Sequence, residues 1–114
     1  MKIQRFEDII SWQKAKMLTL AIYTNFSNSR DFGFRDQIQR SSVSVMNNIA
    51  EGFERKSKKE FKQFLFIAKG SCGEVRSMLH LALELDKIPK KECNKLFNLC
   101  EEISKLLSGF IKTL

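Results

Sequence analysis

Apolar residues return along this chain at steps of three and four. From Ser11 to Phe26 they are Trp12, Ala15, Leu18, Ile22 and Phe26, which fall on one face of a helix. Asp8 or Ser11 is placed to cap its start. Ser27 to Gly33 collects Asn, Ser, Asp and Gly, residues that turn a chain through local hydrogen bonds or positive φ, and predicts the first loop. A second helix follows over Phe34 to Phe53. Phe34, Ile38, Val45, Ile49 and Phe53 mark its apolar face, while Ser41, Ser42 and Ser44 keep it narrow enough for another helix to come close. After a break near Arg55-Lys56, Ser57-Lys58-Lys59-Glu60 has the form of a capping box, with Ser57 bonding the amide of Glu60 and Glu60 reaching back.

The third helix continues to about Asp86. Its seam of Phe61, Leu65, Ala68, Cys72, Val75, Leu79 and Ala82 alternates steps of four and three, the rhythm of shallow left-handed bundle crossings. Lys87-Ile88-Pro89 ends it, because proline disfavours helix at the residue before it and suits the first turn of the next. The fourth helix carries Cys93, Leu96, Cys100, Ile103, Leu107, Phe110 and Leu114 in the same rhythm. Four helices with short loops predict an all-α, antiparallel up-down-up-down four-helix bundle in one domain over residues 1–114.

The third helix has more apolar surface than one seam uses. Phe64, Ile67, Ser71, Met78, Leu81 and Leu85 form a second stripe about 100° around the helix, so its apolar arc spans roughly 200°. Burial against another copy of the chain accounts for the surplus, with Phe64, Ile67, Met78, Leu81 and Leu85 as the interface. A wide core within one monomer is the plainer alternative. Gly52, Gly70 and Gly73 interrupt helices at a cost of roughly 1 kcal/mol each relative to Ala, which tight helix packing ordinarily offsets. Glu51 and Arg55, four apart, are placed to pair on one face.

Composition narrows the class. At 114 residues, with 43% hydrophobic and 29% charged positions and a single proline, the chain can close one core without disulfide or metal and is no disordered tail. Its longest apolar runs, such as Phe64 to Ala68, fall far short of the ~20 residues of a membrane helix. The first ten residues carry Lys2, Arg5, Glu7 and Asp8 and no apolar signal core, so a cytoplasmic protein without a membrane partner is expected. Cys72, Cys93 and Cys100 are odd in number, lack CxxC spacing and each lie on an apolar seam. They read as buried thiols rather than as metal or redox groups.

Net charge is +7, with a pI near 9.5, which favours polyanionic partners. Lys62, Lys69 and Arg76 repeat every seventh residue on the third helix, about 10.5 Å apart, with His80 one turn further. Arg55, Lys56, Lys58 and Lys59 stand just upstream, and Arg40 lies on the second helix. Such a surface can track phosphates of RNA or DNA; a solvated lysine face that keeps the protein dissolved is the plainer reading. Only Phe66 interleaves with the stripe, so no base-stacking platform is evident and contact by backbone charge and shape is expected. No catalytic set appears: His80 is alone, no phosphate-binding loop follows a strand, and the paired carboxylates of a di-iron bundle are missing. A non-enzymatic protein without metal or cofactor is expected.

Asp36-Gln37-Ile38-Gln39-Arg40, Ser42-Val43-Ser44-Val45, Asn48-Ile49-Ala50-Glu51-Gly52-Phe53 and Ala68-Lys69-Gly70-Ser71 with Glu74, in this order and spacing, resemble the small four-helix proteins encoded by intervening sequences in bacterial 23S ribosomal RNA genes. Trp12-Gln13-Lys14-Ala15 and Tyr23 extend the resemblance over nearly the whole chain. It departs from the family pattern at Gln39, where a second basic residue is common. The resemblance implies a homopentamer with a central channel and kinship with the accessory variability protein of diversity-generating retroelements, which binds nucleic acid and a reverse transcriptase through a basic surface. Three functions compete: a basic oligomer that binds structured RNA or a hybrid without sequence preference, a scaffold for a partner such as a reverse transcriptase, and a passenger of the inserted gene segment.

Overall fold

The structure, a computed structural model, describes residues 2–114; Met1, the first residue of the domain expected over 1–114, lies outside the described residues. Four helices follow one another: α1 (Ile10–Phe26), α2 (Phe32–Phe53), α3 (Lys58–Glu84) and α4 (Lys90–Lys112), preceded by a short 3-10 turn at Phe6–Asp8. The described residues contain no strand. Together they form a rod of 42 × 23 × 19 Å.

The seams close on one another as their spacing predicts. Ala15, Leu18 and Ile22 of α1, Ile38, Val45 and Ile49 of α2, Leu65, Ala68, Val75, Leu79 and Ala82 of α3, and Ile103 and Leu107 of α4 are fully buried. Consecutive helices pack together and α1 closes on α4, while the α1 and α3 backbones stay more than 8 Å apart, Cα to Cα, across the core. The small residues of α2 work as expected. The Thr19 hydroxyl donates across to the carbonyl of Ser42 at 3.0 Å, and the hydroxyls of Ser44 and Ser71 meet at 2.9 Å. Phe61 stands edge-on to Phe53 at 5.9 Å and to Phe110 at 5.3 Å, joining α2, α3 and α4 at one pole.

Helix ends differ from expectation in four places. α1 begins at Ile10 after Ile9, and no side chain caps it. Asp8 instead accepts from the amide of Gln4, and Ser11 is buried with its hydroxyl unpartnered. α2 starts two residues early because Asp31 caps it, accepting from the amide of Phe34 at 3.2 Å, so Phe32 and Gly33 are helical. Ser57 accepts from the Glu60 amide at 3.1 Å, but the return bond of the capping box is absent among the described residues. α3 ends at Glu84 through its own backbone rather than through Pro89: the amide of Asp86 bonds the carbonyl of Leu83 and that of Lys87 bonds Ala82, with Asp86 at φ 53°. This is a Schellman ending, which satisfies the last carbonyls of a helix. Pro89 stands just outside α4 as its N-cap.

Tight packing explains one interrupting glycine. A Cβ on Gly52 would sit 2.7 Å from Phe64 Cβ and 2.9 Å from the Phe61 ring, so α2 and α3 approach there only because no side chain intervenes. At Gly70 and Gly73 a Cβ would meet nothing within 4 Å.

Candidate nucleic-acid interface

The turn from α2 into α3 carries Arg55, Lys56, Lys58 and Lys59, all exposed. The capped start of α3 holds them at one pole of the rod. Arg55 is already engaged: Glu51 accepts from its guanidinium at 2.8 Å, as the spacing predicts, and the group lies 4.9 Å over the Phe64 ring. Lys56, Lys58 and Lys59 form no ion pair among the described residues. Lys62, Lys69 and Arg76 continue from this pole along the flank of α3 that faces α4. Lys69 and Arg76 line a cleft there with Cys100 and Ser104, and neither has an acidic partner among the described residues. His80 lies against Phe97 of α4, with ring centroids 4.5 Å apart.

Arg40 does not join this surface. It lines a groove of about 550 Å³ between α2 and α3, with Gly33, Asp36, Gln37, Ser44 and Glu74. There Gln37 donates to Glu74 at 3.4 Å, and Asn48 donates to the carbonyl and hydroxyl of Ser44 at 2.8 and 2.9 Å. Motif residues of α2 and α3 thus meet in two separate polar contacts, Gln37 with Glu74 and Ser44 with Ser71 and Asn48, and Gly52 serves the close approach of the two helices. Arg40 has two carboxylates as groove neighbours and sits on the other side of α3 from Lys69 and Arg76.

The second apolar stripe divides. Met78 is half-buried and packs on the monomer core, and Phe64, also half-buried, lies beside Gly52 of α2 and beneath the Arg55 guanidinium, whereas Ile67, Leu81 and Leu85 are each about half exposed. Sequence reasoning missed a second patch: Ile10, Met17, Leu20 and Tyr23 are exposed on α1. Its signal was present, since these residues fall off the α1 seam and no polar residue replaces them. α1 and α3 being diagonal, the two patches look outward from opposite corners.

Among the described residues no group of three or more His, Cys, Asp or Glu side chains could hold a metal ion, and no helix is long and apolar enough to cross a membrane. Cys72, Cys93 and Cys100 are free and buried, as their seam positions predict.

A family model described as 23S rRNA-intervening sequence protein matches residues 7–109. The chain is also similar to a crystal structure of a protein with unknown function from the S23 ribosomal protein family of Bacteroides thetaiotaomicron. That likeness has a TM-score of 0.84 at 28% identity and covers 90% of this chain and 99% of the other. No curated protein matches it.

Proposed function

The chain belongs to the 23S rRNA-intervening sequence protein family, and from that premise we propose that it is a non-enzymatic, cytoplasmic, oligomeric protein that binds nucleic acid by backbone charge and shape. The observation that carries this reading is the run of exposed Lys56, Lys58 and Lys59, without acidic partners among the described residues, continued by Lys62, Lys69 and Arg76 along one flank of α3. Phosphates neutralised by such side chains release counterions, so binding should be strong at low salt and indifferent to sequence.

Assembly multiplies this surface. An up-down-up-down course is favoured by the pairs that meet across helices: Phe26 with Phe34, Ser44 with Ser71, Cys72 with Cys100 and Phe61 with Phe110. It leaves the apolar patches of α1 and α3 on opposite corners. A closed ring of identical subunits joins two different surfaces of each copy, which is what two separate patches offer. Five copies, the number the family resemblance implies, would weigh about 66 kDa and repeat the basic flank five times, so that weak contacts add by avidity.

The test is salt-dependent binding of a structured RNA, a DNA duplex and a hybrid. Affinity should fall by orders of magnitude between about 50 and 200 mM salt, and changing Lys56, Lys58, Lys59 and Lys62 to Gln should lower the slope by about one per lost phosphate contact. Absence of binding to all three at 50 mM salt would overturn the proposal. Binding that survives the four changes would move the contact away from the α2–α3 turn.

A further inference from the structure

Of the ten phenylalanines in the chain, all but Phe66 stand against another aromatic ring or beneath a cation. Phe66 has neither contact among the described residues, and it is 54% exposed. It also stands apart from both apolar stripes of α3. At about 100° per residue it points about 40° from Lys62 and about 60° from Lys69, within the basic flank, and about 100° from Ile67 of the outer stripe.

One turn away on either side, its neighbours on that face are Lys62, Gln63, Lys69 and Gly70, none of them acidic. Neither lysine is in an ion pair or over an aromatic ring among the described residues. Side chains on a helix lean toward its N-terminus, so a side chain at position 70 would lie back over Phe66. Gly70 supplies none. At Gly70 and Gly73, both exposed, a Cβ would meet nothing within 4 Å, so the close packing that accounts for Gly52 is absent at both. The C-terminal side of the Phe66 ring is therefore bordered by bare helix backbone.

We infer that Phe66 is a stacking point for one unpaired base of a single strand or loop, with the phosphates on either side of that nucleotide held by Lys62 and Lys69. The inference rests on the reading of this flank as a nucleic-acid surface and adds to it the kind of strand the surface takes. Every base has a π face, so stacking on a phenyl ring adds affinity without sequence preference. A base inside a duplex has both faces covered by its neighbours, whereas an unpaired base can be splayed onto the ring. Along the helix axis Phe66 lies about 6 Å from Lys62 and about 4.5 Å from Lys69, which long lysine side chains span easily. One ring is no platform; it fixes one nucleotide per subunit, and the charge around it supplies the remaining attraction. A second copy of the chain could also cover the ring, but it would have to desolvate the two ammonium groups beside it, and an anionic strand pairs with them instead.

The experiment titrates the full chain into a labelled single-stranded oligonucleotide and, separately, into its duplex over a range of salt. Phe66→Ala should weaken binding of the single strand by about tenfold and leave the duplex unchanged. Because the ring carries no charge, the slope of log affinity against log salt should stay the same in this variant, whereas Lys62→Gln should lower it by about 0.7. Phe66→Trp should bind the strand at least as well as the unmutated chain, and Gly70→Leu, which lays a side chain over the ring, should reproduce the loss seen in Phe66→Ala. Helical signal and mass by light scattering should not change in any of them. Equal loss for strand and duplex, or loss for neither, would overturn the inference and leave the basic flank as a nucleic-acid surface. A lower mass in Phe66→Ala would overturn it too, by showing that a second copy covers the ring. If the unmutated chain binds neither strand nor duplex at low salt, the nucleic-acid reading and the inference fall together.

Discussion

Asp86 carries the one positive φ among the non-glycine residues described, 53°, at the position of a Schellman ending where glycine is the usual occupant. A left-handed conformation costs an L-residue with a Cβ energy that glycine avoids. Asp86→Gly should therefore stabilise the fold by up to about 1 kcal/mol, seen as a higher urea midpoint at unchanged slope. Asp31 acts at the same pole. Its carboxylate bonds the Lys87 ammonium at 3.0 Å and the Phe34 amide, and in that order of importance they hold its pKa below the ordinary 3.8. A depressed folded value means that the contribution is present in full above the unfolded value and is lost as pH falls through the folded one. Unfolding free energy measured from pH 6 to pH 2 should drop less steeply in Asp31→Asn, which keeps an N-cap but cannot titrate. If the two slopes coincide, the Lys87 contact does not matter energetically.

At the scale of helices, the glycines of α2 and α3 differ in what surrounds them. Gly52→Ala should destabilise by about 1–3 kcal/mol, because the new methyl meets Phe64 and the backbone of Phe61. Gly70→Ala and Gly73→Ala meet nothing, and should each raise the melting stability of a monomer by roughly 1 kcal/mol. If the proposed oligomer uses this stripe, Ile67→Glu and Leu81→Glu, at half-exposed positions of α3, should lower the mass seen by light scattering without changing the helical signal. A charge at Met78, which packs on the core, would disturb the bundle itself. The seams were legible because each core residue obeys the helical period. The start of α1 was not: Asp8 and Ser11 are both good caps by composition, and only the 3-10 turn at Phe6–Asp8 removes them from that role. The candidate site was legible as a periodic basic stripe. Its split, with Arg40 in a separate polar groove, depends on which helices pack side by side, and local spacing does not encode that.

For the whole molecule, the net charge of +7 is unevenly used: Arg5, Lys14, Arg35, Arg55, Lys87 and Lys95 are in ion pairs, whereas Lys56, Lys58, Lys59, Lys62, Lys69 and Arg76 have no acidic partner among the described residues. The helix contacts are uneven too. α2 against α3 is the largest interface, and α1 against α4, which joins the two ends of the chain, is the smallest between helices. That inequality has a kinetic consequence. Neighbouring helices meet across short loops, while the α1–α4 seam must close a loop of some seventy residues, and loop-closure entropy places such a contact late. The folding transition state should therefore contain the α2–α3 hairpin and lack α1 docked on α4. In stopped-flow experiments Leu65→Ala or Val45→Ala should slow refolding. Leu96→Ala, which removes part of the α4 wall facing Met17 and Ala21, should instead speed unfolding and leave refolding nearly unchanged. A bundle built this way undocks first where its chain ends meet, so the lifetime of the native state is set by the α1–α4 seam.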